Sequence, residues 1–394
     1  MHPSGRLRAV IDNRLNGNRV ILCITGSIAA VECVKLSREL IRYGAEIIPV
    51  MTEAATRIIS PEAIRFACGV QPITSLTGDV EHITIFRDDK KNMVLVAPAT
   101  ADVISKISLA IADDALTTVC LNALGLGLPM VISPAMGKSM LSNPFLVRNI
   151  ERLRRQGVTV LPSLIEEGEA KLIDTTSIVE NAARIFSDGI LKGRHVLVVG
   201  GASEEPIDDV RVLSSRSSGR TAGEIATAAF EEKATVSVWC GRVTELEPTF
   251  IKCTPFDSLM DIIERSKGKK FDIVIVPASL SDFIPPKSKG KISSSVRNLR
   301  IDMRPAPKFI DEIRERCRVL VAFKAELLDE KKLIASAVRR LNEAGLDLIV
   351  ANNLSDVSRD STKAYLITRK GTETYEGSKR GLAVTIVRAI SKIK

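Results

Sequence analysis

Short apolar runs rich in β-branched residues alternate along this chain with longer stretches in which apolar residues recur at helical spacing. In the first half the short runs are Val20–Thr25, Glu46–Met51, Met93–Pro98 and Met130–Ser133, and the stretch Ile28–Tyr43 has helical spacing. Short apolar runs between helical stretches are typical of buried strands. The alternation predicts parallel βαβ units, with helices on both faces of one sheet.

Near residue 190 the cycle begins again. The segment Gly189–Gly193 separates a helical pattern that ends at about Phe186 from a new strand over His195–Val199. The further elements predicted in this half are the helix Thr221–Glu232, the strands Thr235–Trp239, Ile273–Val276, Val319–Phe323 and Leu348–Ala351, and the C-terminal helix Lys379–Ile393. We therefore expect an α/β protein with two doubly wound, mostly parallel, three-layer Rossmann-like domains, over residues 1–190 and 191–394.

The charge and composition indicate the kind of partner. The 394 residues carry a formal net charge of +9, and 45% of them are hydrophobic, which is enough for conventional buried cores. The cations are scattered among 47 acidic residues, and only 4% of residues are aromatic. Nucleic-acid-binding surfaces usually combine clustered cations with aromatic rings. We therefore expect small phosphorylated molecules, and no nucleic acid, as partners.

The sequence lacks the patterns of a membrane segment and of a disulfide framework. No stretch reaches the roughly 18 uninterrupted apolar residues of a membrane helix, and residues 1–19 lack the apolar run of a signal peptide. We therefore expect a cytoplasmic protein with no membrane partner. The seven cysteines are odd in number, widely spaced and without a CxxC pair, which predicts small buried side chains with neither disulfides nor a zinc site.

The first predicted strand leads into Thr25–Ala30, where a glycine and a serine precede a helix. Open parallel sheets bind ligands beyond the carboxyl ends of their strands. Gly26 would let a phosphate approach the backbone, Ser27 offers a hydroxyl, and a helix N-terminus carries about half a positive charge. The same residues also suit a simple tight turn, so this segment alone leaves both interpretations open.

Two further segments are expected at the same edge of this sheet. Ala97–Asp102 follows the third strand, and Ala112–Thr118 opens a helix. Together they would form small, polar walls suited to a flat ring and its phosphate. Apart from His2, His82 is the one histidine of this half, and it lies in a predicted loop or short helix where a structural role and a functional role are both open.

Four motifs of the first half, Gly26–Ala30, Val80–Ile83, Ala97–Asp102 and Pro134–Met136, resemble the homo-oligomeric flavin-containing cysteine decarboxylases. Their order and spacing resemble the phosphopantothenoylcysteine decarboxylase family, in the bifunctional form that is fused to phosphopantothenate-cysteine ligase. The resemblance covers nearly all of the chain. It is strongest to the archaeal branch, judged from two segments, Met1–Ser4 and Glu166–Lys171.

The resemblance implies an FMN site and a catalytic histidine. The substrate carboxylate has no adjacent electron sink, and oxidation of the CH2–SH arm to a thioaldehyde, with FMN as the hydride acceptor, provides one. His82 would take the thiol proton as general base. The residues expected to bind FMN are Gly26, Ser27, Ile28, Thr52, Pro98, Ala99, Thr100, Thr117 and Thr118.

Two positions depart from the decarboxylase pattern. Gly137 stands where the family usually has an Asn or His that grips the substrate carboxylate. No cysteine lies between Cys120 and Cys240, although bacterial members carry a clamp cysteine there that reprotonates the enethiol. Lys138 or Lys171 could hold the carboxylate instead, although a solvated surface charge is the commoner role of such lysines.

The second half has polar segments at two predicted strand ends. Gly200–Arg211 follows a strand, and Ser214–Arg220 precedes a helix in which Ser217 and Ser218 are suitable N-cap residues. Unpaired amides at such a helix start can receive an anion, although a helix start rich in serine and glycine is common in itself. Pro277–Phe283 ends another strand of the same sheet.

A loop with three lysines, Lys287, Lys289 and Lys291, comes shortly after Asp282. Lysines in a loop are most often simply solvated. A strand-end aspartate followed by lysines is also a suitable arrangement for a metal-bound triphosphate. The two interpretations predict different positions for the lysines, because a triphosphate site requires them at the edge of the sheet.

These segments, followed by Pro305–Phe309, Ala322–Glu326 and Leu346–Asn352, resemble phosphopantothenate-cysteine ligase. The resemblance implies CTP with Mg2+. The carboxylate of 4'-phosphopantothenate attacks the α-phosphate, pyrophosphate leaves, and the amine of L-cysteine displaces CMP from the acyl-cytidylate. Lys291 would stabilise the charge on phosphate in the transition state. Ser215 stands where the family has a catalytic Asn, and it keeps one hydrogen-bonding hydroxyl.

The ligase resemblance also implies the residues that contact the nucleotide. Asp282 would contact CTP directly, Phe323 would pack beside the cytosine or the ribose, and Arg340 would face the phosphates. The residues expected to bind CTP are Gly201, Ser217, Ser218, Pro277, Ala278, Asp282, Lys291, Ala306, Pro307, Lys308, Phe309, Phe323 and Arg340.

The family resemblance further implies a homo-oligomer, with a trimer-based flavin domain and a dimeric ligase domain. Two alternative functions stay open at this point. One is a ligase whose flavin domain is impaired in decarboxylation, as Gly137 and the absent clamp cysteine suggest. The other is a regulatory flavoprotein without catalysis.

Overall fold

The computed structural model describes residues 2–166, 169–245, 251–295 and 298–393. The chain forms two compact units, Met1–Phe186 and Ser187–Lys394. Each unit contains one principal sheet with helices on both faces, so the predicted α/β class with two doubly wound domains is confirmed. Within the described residues, no helix has the length and apolar character needed to cross a membrane.

Unit 1 alternates strands and helices from its first strand onward. Its elements are β1 (Asn18–Ile24), α1 (Cys33–Arg42), β2 (Glu46–Met51), α2 (Glu53–Thr56), α3 (Pro61–Cys68), α4 (Glu81–Thr84), β3 (Lys91–Ala99), α5 (Ala101–Ser108), α6 (Ala115–Gly125), β4 (Met130–Pro134), β5 (Met136–Gly137), α7 (Lys138–Leu141), α8 (Pro144–Arg155), β6 (Thr159–Val160), β7 (Leu164–Glu166), β8 (Glu169–Lys171) and α9 (Thr175–Phe186), with 3-10 helices at Pro3–Leu7 and Ile28–Glu32.

The principal sheet of unit 1 is parallel and has the order β2-β1-β3-β4-β6. This is the strand order of flavodoxin-like folds, in which the chain leaves β1 in opposite directions to reach β2 and β3. One hydrophobic cluster packs α1, α3 and α9 on one face, and a second packs α5, α6 and α8 on the other. The topological switch point therefore lies between β1 and β3.

The predicted helix Ile28–Tyr43 is divided in the structure. A 3-10 helix covers Ile28–Glu32, and α1 begins only at Cys33. Ile28 is 78% exposed, and of the residues of this first segment only Ala30 is buried, so the 3-10 turn has little packing against the core. The apolar spacing of the sequence therefore continues through a segment that lies at the surface of the unit.

Unit 2 begins with a new strand and repeats the alternation. Its elements are β9 (His195–Gly200), β10 (Glu204–Pro206), β11 (Val212–Ser214), α10 (Arg220–Glu231), β12 (Thr235–Cys240), β13 (Cys253–Pro255), α11 (Leu259–Ser266), β14 (Phe271–Val276), β15 (Phe283–Ile284), β16 (Arg304–Pro305), α12 (Phe309–Ile313), β17 (Cys317–Glu326), α13 (Glu330–Glu343), β18 (Leu348–Asn353), β19 (Ser361–Thr368), β20 (Gly371–Ser378) and α14 (Lys379–Ser391), with 3-10 helices at Arg314–Arg316 and Leu354–Asp356.

The principal sheet of unit 2 has the order β13-β12-β9-β14-β17-β18-β19-β20. Its first six strands are parallel, and, numbered along the chain, they have the Rossmann order 3-2-1-4-5-6. The last two strands form an antiparallel hairpin that extends the edge, and the sequence interpretation did not contain it. One cluster packs α10 and α14 on one face, and another packs α11, α12 and α13 on the other.

The cysteine prediction is wrong for one pair. Cys240 and Cys253 form a disulfide between the neighbouring parallel strands β12 and β13. Thirteen positions separate them, so their proximity depends on strand pairing and is not visible in the spacing. The prediction of buried thiols is confirmed for four of the other five cysteines, Cys23, Cys33, Cys68 and Cys120, whereas Cys317 is partly exposed.

Candidate functional site

Thr25 joins the ends of the two strands that flank the switch point of unit 1. Its hydroxyl donates to the carbonyl oxygen of Pro98 at 2.7 Å and accepts from the amide of Thr100 at 3.1 Å. Thr25 directly follows β1, and Thr100 directly follows β3. This side chain, which the sequence interpretation did not single out, therefore holds Gly26 and Ser27 beside Thr100.

The neighbouring strand ends are joined at the same edge. The amide of Thr52 donates to Ile24 at 3.1 Å, which connects the ends of β2 and β1. The amide of Ala135 donates to Ala99 at 3.1 Å, which connects the ends of β4 and β3. Four parallel strands thus end together, and the loops that follow them form one continuous edge.

Four helices begin at this edge, each with a capping side chain. The hydroxyls of Ser27, Thr52 and Thr100 accept amide hydrogens from the first turns that follow them. Asp114 caps α6, and Thr117 completes a capping box with it. Because helix N-termini carry partial positive charge, this edge suits a phosphate or another polar group.

A cavity of about 650 Å3 adjoins this edge. Its lining includes two of the predicted FMN residues, Ser27 and Ile28. The other lining residues are Ala29, Val31, Glu32, Lys35, Ala135, Met136, Lys171, Leu172, Ile173, Asp174, Thr175 and Thr176. The cavity is of the size that small-molecule sites usually have, and its apolar residues are suited to a flat ring.

The remaining predicted FMN residues lie along the same strand ends but outside this cavity. Gly26 leaves no room for a side chain, because an added Cβ atom would lie 2.5 Å from the Cβ of Ala54. Thr117 is fully buried, and the hydroxyl of Thr118 donates to the carbonyl of Asp114 at 2.7 Å. Pro98 and Ala99 belong to the end of β3, where the Ala97–Pro98 peptide bond is cis.

His82 lies in the short helix α4, as predicted, and outside the 650 Å3 cavity. The side-chain amide of Asn122 donates to the carbonyl oxygen of His82 at 2.6 Å, which holds α4 against α6. The Nδ1 atom of His82 is buried and has no hydrogen-bond partner among the described residues. The backbone of His82 is therefore held in place, and its imidazole retains an unused polar atom.

The two lysines that could replace the side chain missing at Gly137 differ in their position relative to the cavity. Gly137 precedes α7 without a side-chain cap, and Lys138 is exposed and does not line the cavity. Lys171 does line the cavity, at the end of β8, which pairs with Met136 and Gly137. Glu167 and Gly168, part of the segment that suggested the archaeal branch, lie outside the described residues.

In unit 2 the strand ends at the switch point between β9 and β14 are also joined. Gly201 has a φ of +78°, and an added Cβ would lie 2.6 Å from the carbonyl oxygen of Arg242. The amide of Ser279 donates to Gly201 at 2.8 Å, and the hydroxyls of Ser203 and Ser281 are 2.9 Å apart. Only glycine suits this position, because a side chain would meet both backbone strain and a close contact.

A cavity of about 560 Å3 lies beyond this switch point and contains most of the predicted CTP residues. Those that line it are Pro277, Ala278, Asp282, Pro307, Lys308, Phe309, Phe323 and Arg340, together with the predicted catalytic residue Ser215. The predicted residues, which span 125 positions of the sequence from Ser215 to Arg340, are thus brought together. We call this space the nucleotide cavity.

Ion pairs surround the nucleotide cavity. Lys308 pairs with Asp282, Lys324 pairs with Glu326 at 2.9 Å, and the guanidinium of Arg340 lies 2.9 Å from Asp311. The Lys308 and Asp282 side chains are largely exposed, so a ligand could replace either partner. Lys324 and Glu326 also line the cavity and were missing from the predicted set, because nothing local distinguishes them from other charged residues of a strand end.

A second, smaller cavity of about 260 Å3 lies on the other side of shared walls. Gly201, Ser217 and Ser218 of the predicted set line it. Pro277, Ser279, Phe323 and Ala325 line both cavities. The residues that line this cavity and not the nucleotide cavity are Gly201, Arg216, Ser217, Ser218, Gly219, Arg220, Thr221, Ala222, Asn352, Leu354, Val357, Thr362, Lys379 and Leu382. We call this space the helix-start cavity, because α10 begins in its wall.

Two predicted residues line neither cavity. Ala306 is buried, and its amide donates to the carbonyl of Asp282 at 2.9 Å, so it supports the cavity wall from behind. Lys291 lies in an exposed loop. The residue after Lys291, Ile292, donates its amide hydrogen to the carboxylate of Asp208 at 3.0 Å. The same carboxylate forms an ion pair with Arg211 at 2.7 Å.

Asp208 is the charged anchor of this lysine loop. Burial alone would raise the pKa of Asp208, but hydrogen bonds from the amides of Ile292, Val210 and Arg211 outweigh it and lower the pKa to about 2. The carboxylate is therefore charged at neutral pH. The loop that carries Lys291 is held against the β10–β11 hairpin by this charge.

Across the described ranges 2–166, 169–245, 251–295 and 298–393, no group of three or more His, Cys, Asp or Glu side chains is arranged to hold a metal ion. A divalent ion that reaches the nucleotide cavity would therefore take most of its ligands from the phosphates of a nucleotide and from water.

Both halves of the chain match family models. The Flavoprotein model matches residues 11–187, and the model of the DNA/pantothenate metabolism flavoprotein C-terminal domain matches residues 191–393. The boundaries of the two matches agree with the two units of the structure. The chain is therefore a flavoprotein-family unit followed by a unit of the pantothenate-metabolism family.

Curated relatives identify the combination. The coenzyme A biosynthesis bifunctional protein CoaBC of Thermococcus kodakarensis is 39% identical over 94% of this chain and 93% of its own. That of Methanocaldococcus jannaschii is 36% identical over 100% of this chain and 98% of its own. The crystal structure of the DNA/pantothenate metabolism flavoprotein from Streptococcus pneumoniae is 20% identical, covers 50% of this chain and 98% of its own, and has a TM-score of 0.46.

This chain belongs to the family of coenzyme A biosynthesis bifunctional proteins CoaBC. The predicted resemblance to the bifunctional family, including its archaeal members, is confirmed. The prediction of a bifunctional enzyme of coenzyme A biosynthesis is confirmed with it.

Proposed function

We propose that this chain makes 4'-phosphopantetheine in two reactions. Unit 2 would join L-cysteine to 4'-phosphopantothenate with CTP, through an acyl-cytidylate, and unit 1 would then decarboxylate the product with FMN. The observation that carries the proposal is the same in both units: a cavity adjoins the topological switch point of the sheet, where open α/β sheets bind their ligands.

The donor groups of unit 1 are suited to FMN. Helix starts capped by Ser27, Thr52 and Thr100 offer hydroxyls and positive dipole ends to a phosphate. The apolar wall of the 650 Å3 cavity would accommodate a flat ring. When bound, FMN would supply a two-electron acceptor for oxidation of the CH2–SH arm of the substrate.

The proton chemistry of the decarboxylation would use His82. Its buried Nδ1 has no partner among the described residues, and Asn122 holds the backbone of His82 through its carbonyl oxygen. A neutral imidazole can take up the thiol proton near neutral pH. Lys171, at the cavity wall, would hold the carboxylate in place of the side chain that Gly137 lacks.

The ligation would take place in the nucleotide cavity. Phe323 would pack beside the cytosine or the ribose, and Lys308 and Arg340 would face the phosphates. Negative charge builds on phosphate in both steps, so cations at this wall would stabilise the transition states. CTP would enter with Mg2+, with Asp282 as the contacting carboxylate, and the hydroxyl of Ser215 would contact the acyl-cytidylate.

Lys291 stays a proposed catalytic residue. Its loop is anchored by Asp208 and by Asp209, which accepts from the amide of Gly290 at 2.9 Å. The proposal also includes the family's cytoplasmic location and a homo-oligomer, with a trimer-based flavin domain and a dimeric ligase domain.

One incubation tests both reactions. The purified chain is mixed with 4'-phosphopantothenate, L-cysteine, Mg2+ and either CTP or ATP, and products are followed by mass. We expect phosphopantothenoylcysteine and CMP with CTP, then loss of 44 Da as CO2, together with a flavin absorbance spectrum of the purified protein. Absence of any ligated product with either nucleotide would contradict the ligase assignment.

A ligase with an impaired decarboxylase is a second candidate, and one observation favours it. Gly137 offers no side chain to the substrate carboxylate, and no cysteine lies between Cys120 and Cys240. In the same incubation this candidate predicts that phosphopantothenoylcysteine accumulates without loss of CO2. A colourless protein that neither ligates nor decarboxylates would instead indicate a regulatory role.

A further inference from the structure

Lys379 is a buried lysine in the wall of the helix-start cavity. It is only 9% exposed, and it is the first residue of α14. Its ammonium group has no hydrogen bond or ion pair with any residue in the described parts of the chain. A lysine that is largely buried and has no direct ion pair is costly, so its position needs an explanation.

The electrostatic surroundings make the position of Lys379 less favourable still. The N-terminus of a helix carries partial positive charge, which repels a cation in the first turn. Burial lowers the pKa of the Lys379 ammonium, and the neighbouring charge of Arg220 lowers it further. An anion in the cavity would relieve all three unfavourable effects at once.

Three carboxylates, Glu245, Asp360 and Glu224, raise the pKa of Lys379, but burial and the charge of Arg220 lower it by more. Asp360 lies 2.7 Å from the guanidinium of Arg220, and Glu245 lies 3.8 Å from it, so both are engaged by the arginine. The carbonyl of Asp360 also accepts the backbone amide of Lys379 at 2.9 Å, which fixes where α14 begins. The backbone thus holds Lys379 at this point without supplying its side chain with a partner.

The opposite wall of the cavity offers further donors. Helix α10, which has 12 residues, begins at Gly219 with no side-chain cap, and Thr221 and Ala222 of its first turn line the cavity. Ser217 and Ser218 line it as well. The start of a long helix and a buried lysine therefore face one small polar space from two elements that are about 160 positions apart in the sequence.

Resting on the proposed ligase function, we propose that Lys379 binds a phosphate group of a ligase substrate in the helix-start cavity. Two substrates carry such a group, the nucleoside triphosphate and the phosphorylated acid. The volume of about 260 Å3 suits a phosphate and the atoms next to it, whereas the nucleotide cavity of about 560 Å3 lies across shared walls. A ligand that extends between the cavities would have its phosphate at Lys379 and its reacting end beside Phe323.

The test compares Lys379→Met, Lys379→Arg and a control, Lys331→Met. Lys331 is an exposed lysine in the first turn of α13, and it lines neither cavity. Binding of 4'-phosphopantothenate, pantothenate and CTP with Mg2+ is measured by isothermal titration calorimetry on the full chain. Circular dichroism and the melting temperature establish that each variant is folded.

We expect Lys379→Met to weaken binding of one phosphorylated ligand by about tenfold to a hundredfold, the effect of losing one charge-assisted hydrogen bond. Weaker binding of 4'-phosphopantothenate, with unchanged binding of pantothenate, would assign the site to the acid, and weaker binding of CTP would assign it to the nucleotide. Lys379→Arg should retain part of the affinity, and the control all of it. Unchanged affinity of folded Lys379→Met for both phosphorylated ligands would overturn the inference.

A second measurement does not depend on the substrates. Inorganic pyrophosphate should raise the melting temperature of the wild-type chain and of Lys331→Met more than that of Lys379→Met. Equal shifts in all three would contradict a phosphate site at Lys379. If the wild-type chain bound pyrophosphate through Lys379 but neither substrate, the proposed ligase function would fail while the phosphate site remained.

Discussion

The two units differ in the kinds of groups that surround their candidate ligand sites. In unit 1 the strand ends at the switch point are joined by neutral groups, with the hydroxyl of Thr25 between Pro98 and Thr100. In unit 2 neutral groups also join the strand ends, but exposed ion pairs, such as Lys308 with Asp282, line the nucleotide cavity beyond them. A neutral, fixed edge suits a cofactor that stays bound, whereas exposed ion pairs can be exchanged for the charges of a substrate that enters and leaves in each cycle.

The difference extends to how the strand ends are held. Both sheets have a switch point. It lies between β1 and β3 in the flavodoxin-like order of unit 1, and between β9 and β14 in the Rossmann order of unit 2. In unit 1 three strand ends contribute caps to the helices that follow them, and Asp114, in the loop after α5, caps a fourth helix. In unit 2 a glycine of positive φ, Gly201, and the serine pair Ser203 and Ser281 bring the strand ends together.

The largest expected effect would separate the two reactions. We expect His82→Asn to lower the rate of CO2 release by about a hundredfold to ten-thousandfold, because a general base is lost, and to leave ligation unchanged. Both rates are measured on the same protein by mass, with phosphopantothenoylcysteine supplied directly for the first. His2→Asn, in the same unit, is the control. Equal loss of both activities would indicate a structural role for His82.

The reciprocal change concerns Lys308. We expect Lys308→Met to lower the ligation rate about tenfold to a hundredfold, since one cation at the phosphates is lost, and to leave decarboxylation unchanged. The free energy of unfolding should change by less than about 1 kcal/mol, because the pair with Asp282 is largely exposed.

The control for Lys308 is Lys332→Met, which removes an exposed, ion-paired lysine of α13 outside both cavities. Ligation kinetics at saturating L-cysteine distinguish the two variants. An identical small effect of both substitutions would show that Lys308 contributes no more than surface charge.

A smaller effect concerns the two glycines at the switch points. Gly26→Ala and Gly201→Ala should each lower the free energy of unfolding by about 1–3 kcal/mol, the first through contact with Ala54 and the second through backbone strain as well. Denaturant unfolding followed by circular dichroism measures the change. Gly125→Ala, in a helix with open space around it, should be neutral or slightly stabilising.

The smallest effect is a pH dependence at Asp208. The folded pKa of about 2 lies below the roughly 3.9 of an unfolded aspartate, so its charge stabilises the fold above about pH 4, and this contribution is lost as the pH falls toward 2. The difference in melting temperature between the wild-type chain and Asp208→Asn should therefore narrow below pH 4. A difference that is constant from pH 7 to pH 2.5 would contradict the charged anchor.

The sequence was sufficient for the central parallel strands of both sheets and for which of their ends carry polar residues. Every strand predicted at buried runs is present, and Glu46–Met51 has the predicted bounds. Local pattern was informative here because apolar runs of this length are buried in almost any α/β sheet. The antiparallel hairpin β19–β20 was missed because β20 is polar and mostly exposed, so it has no apolar run.

The parts that escaped prediction depend on distant pairing. The bond between Cys240 and Cys253 requires two particular strands to be neighbours. Thr25 is an ordinary strand-end threonine until the third strand lies beside it. The burial of Lys379 arises where α14 meets the cavity wall, and a lysine at a helix start gives no local signal of it. All three features depend on the order of the strands in the sheet, and no single segment of the sequence determines that order.

Each unit has its own hydrophobic clusters. The two clusters of residues 1–186 and the two of residues 187–394 share no member. The peptide bond between Phe186 and Ser187 is therefore a natural place for gene fission. Two shorter polypeptides divided there would each keep both apolar clusters of its unit. The fused gene would then supply both units in equal amounts from one message.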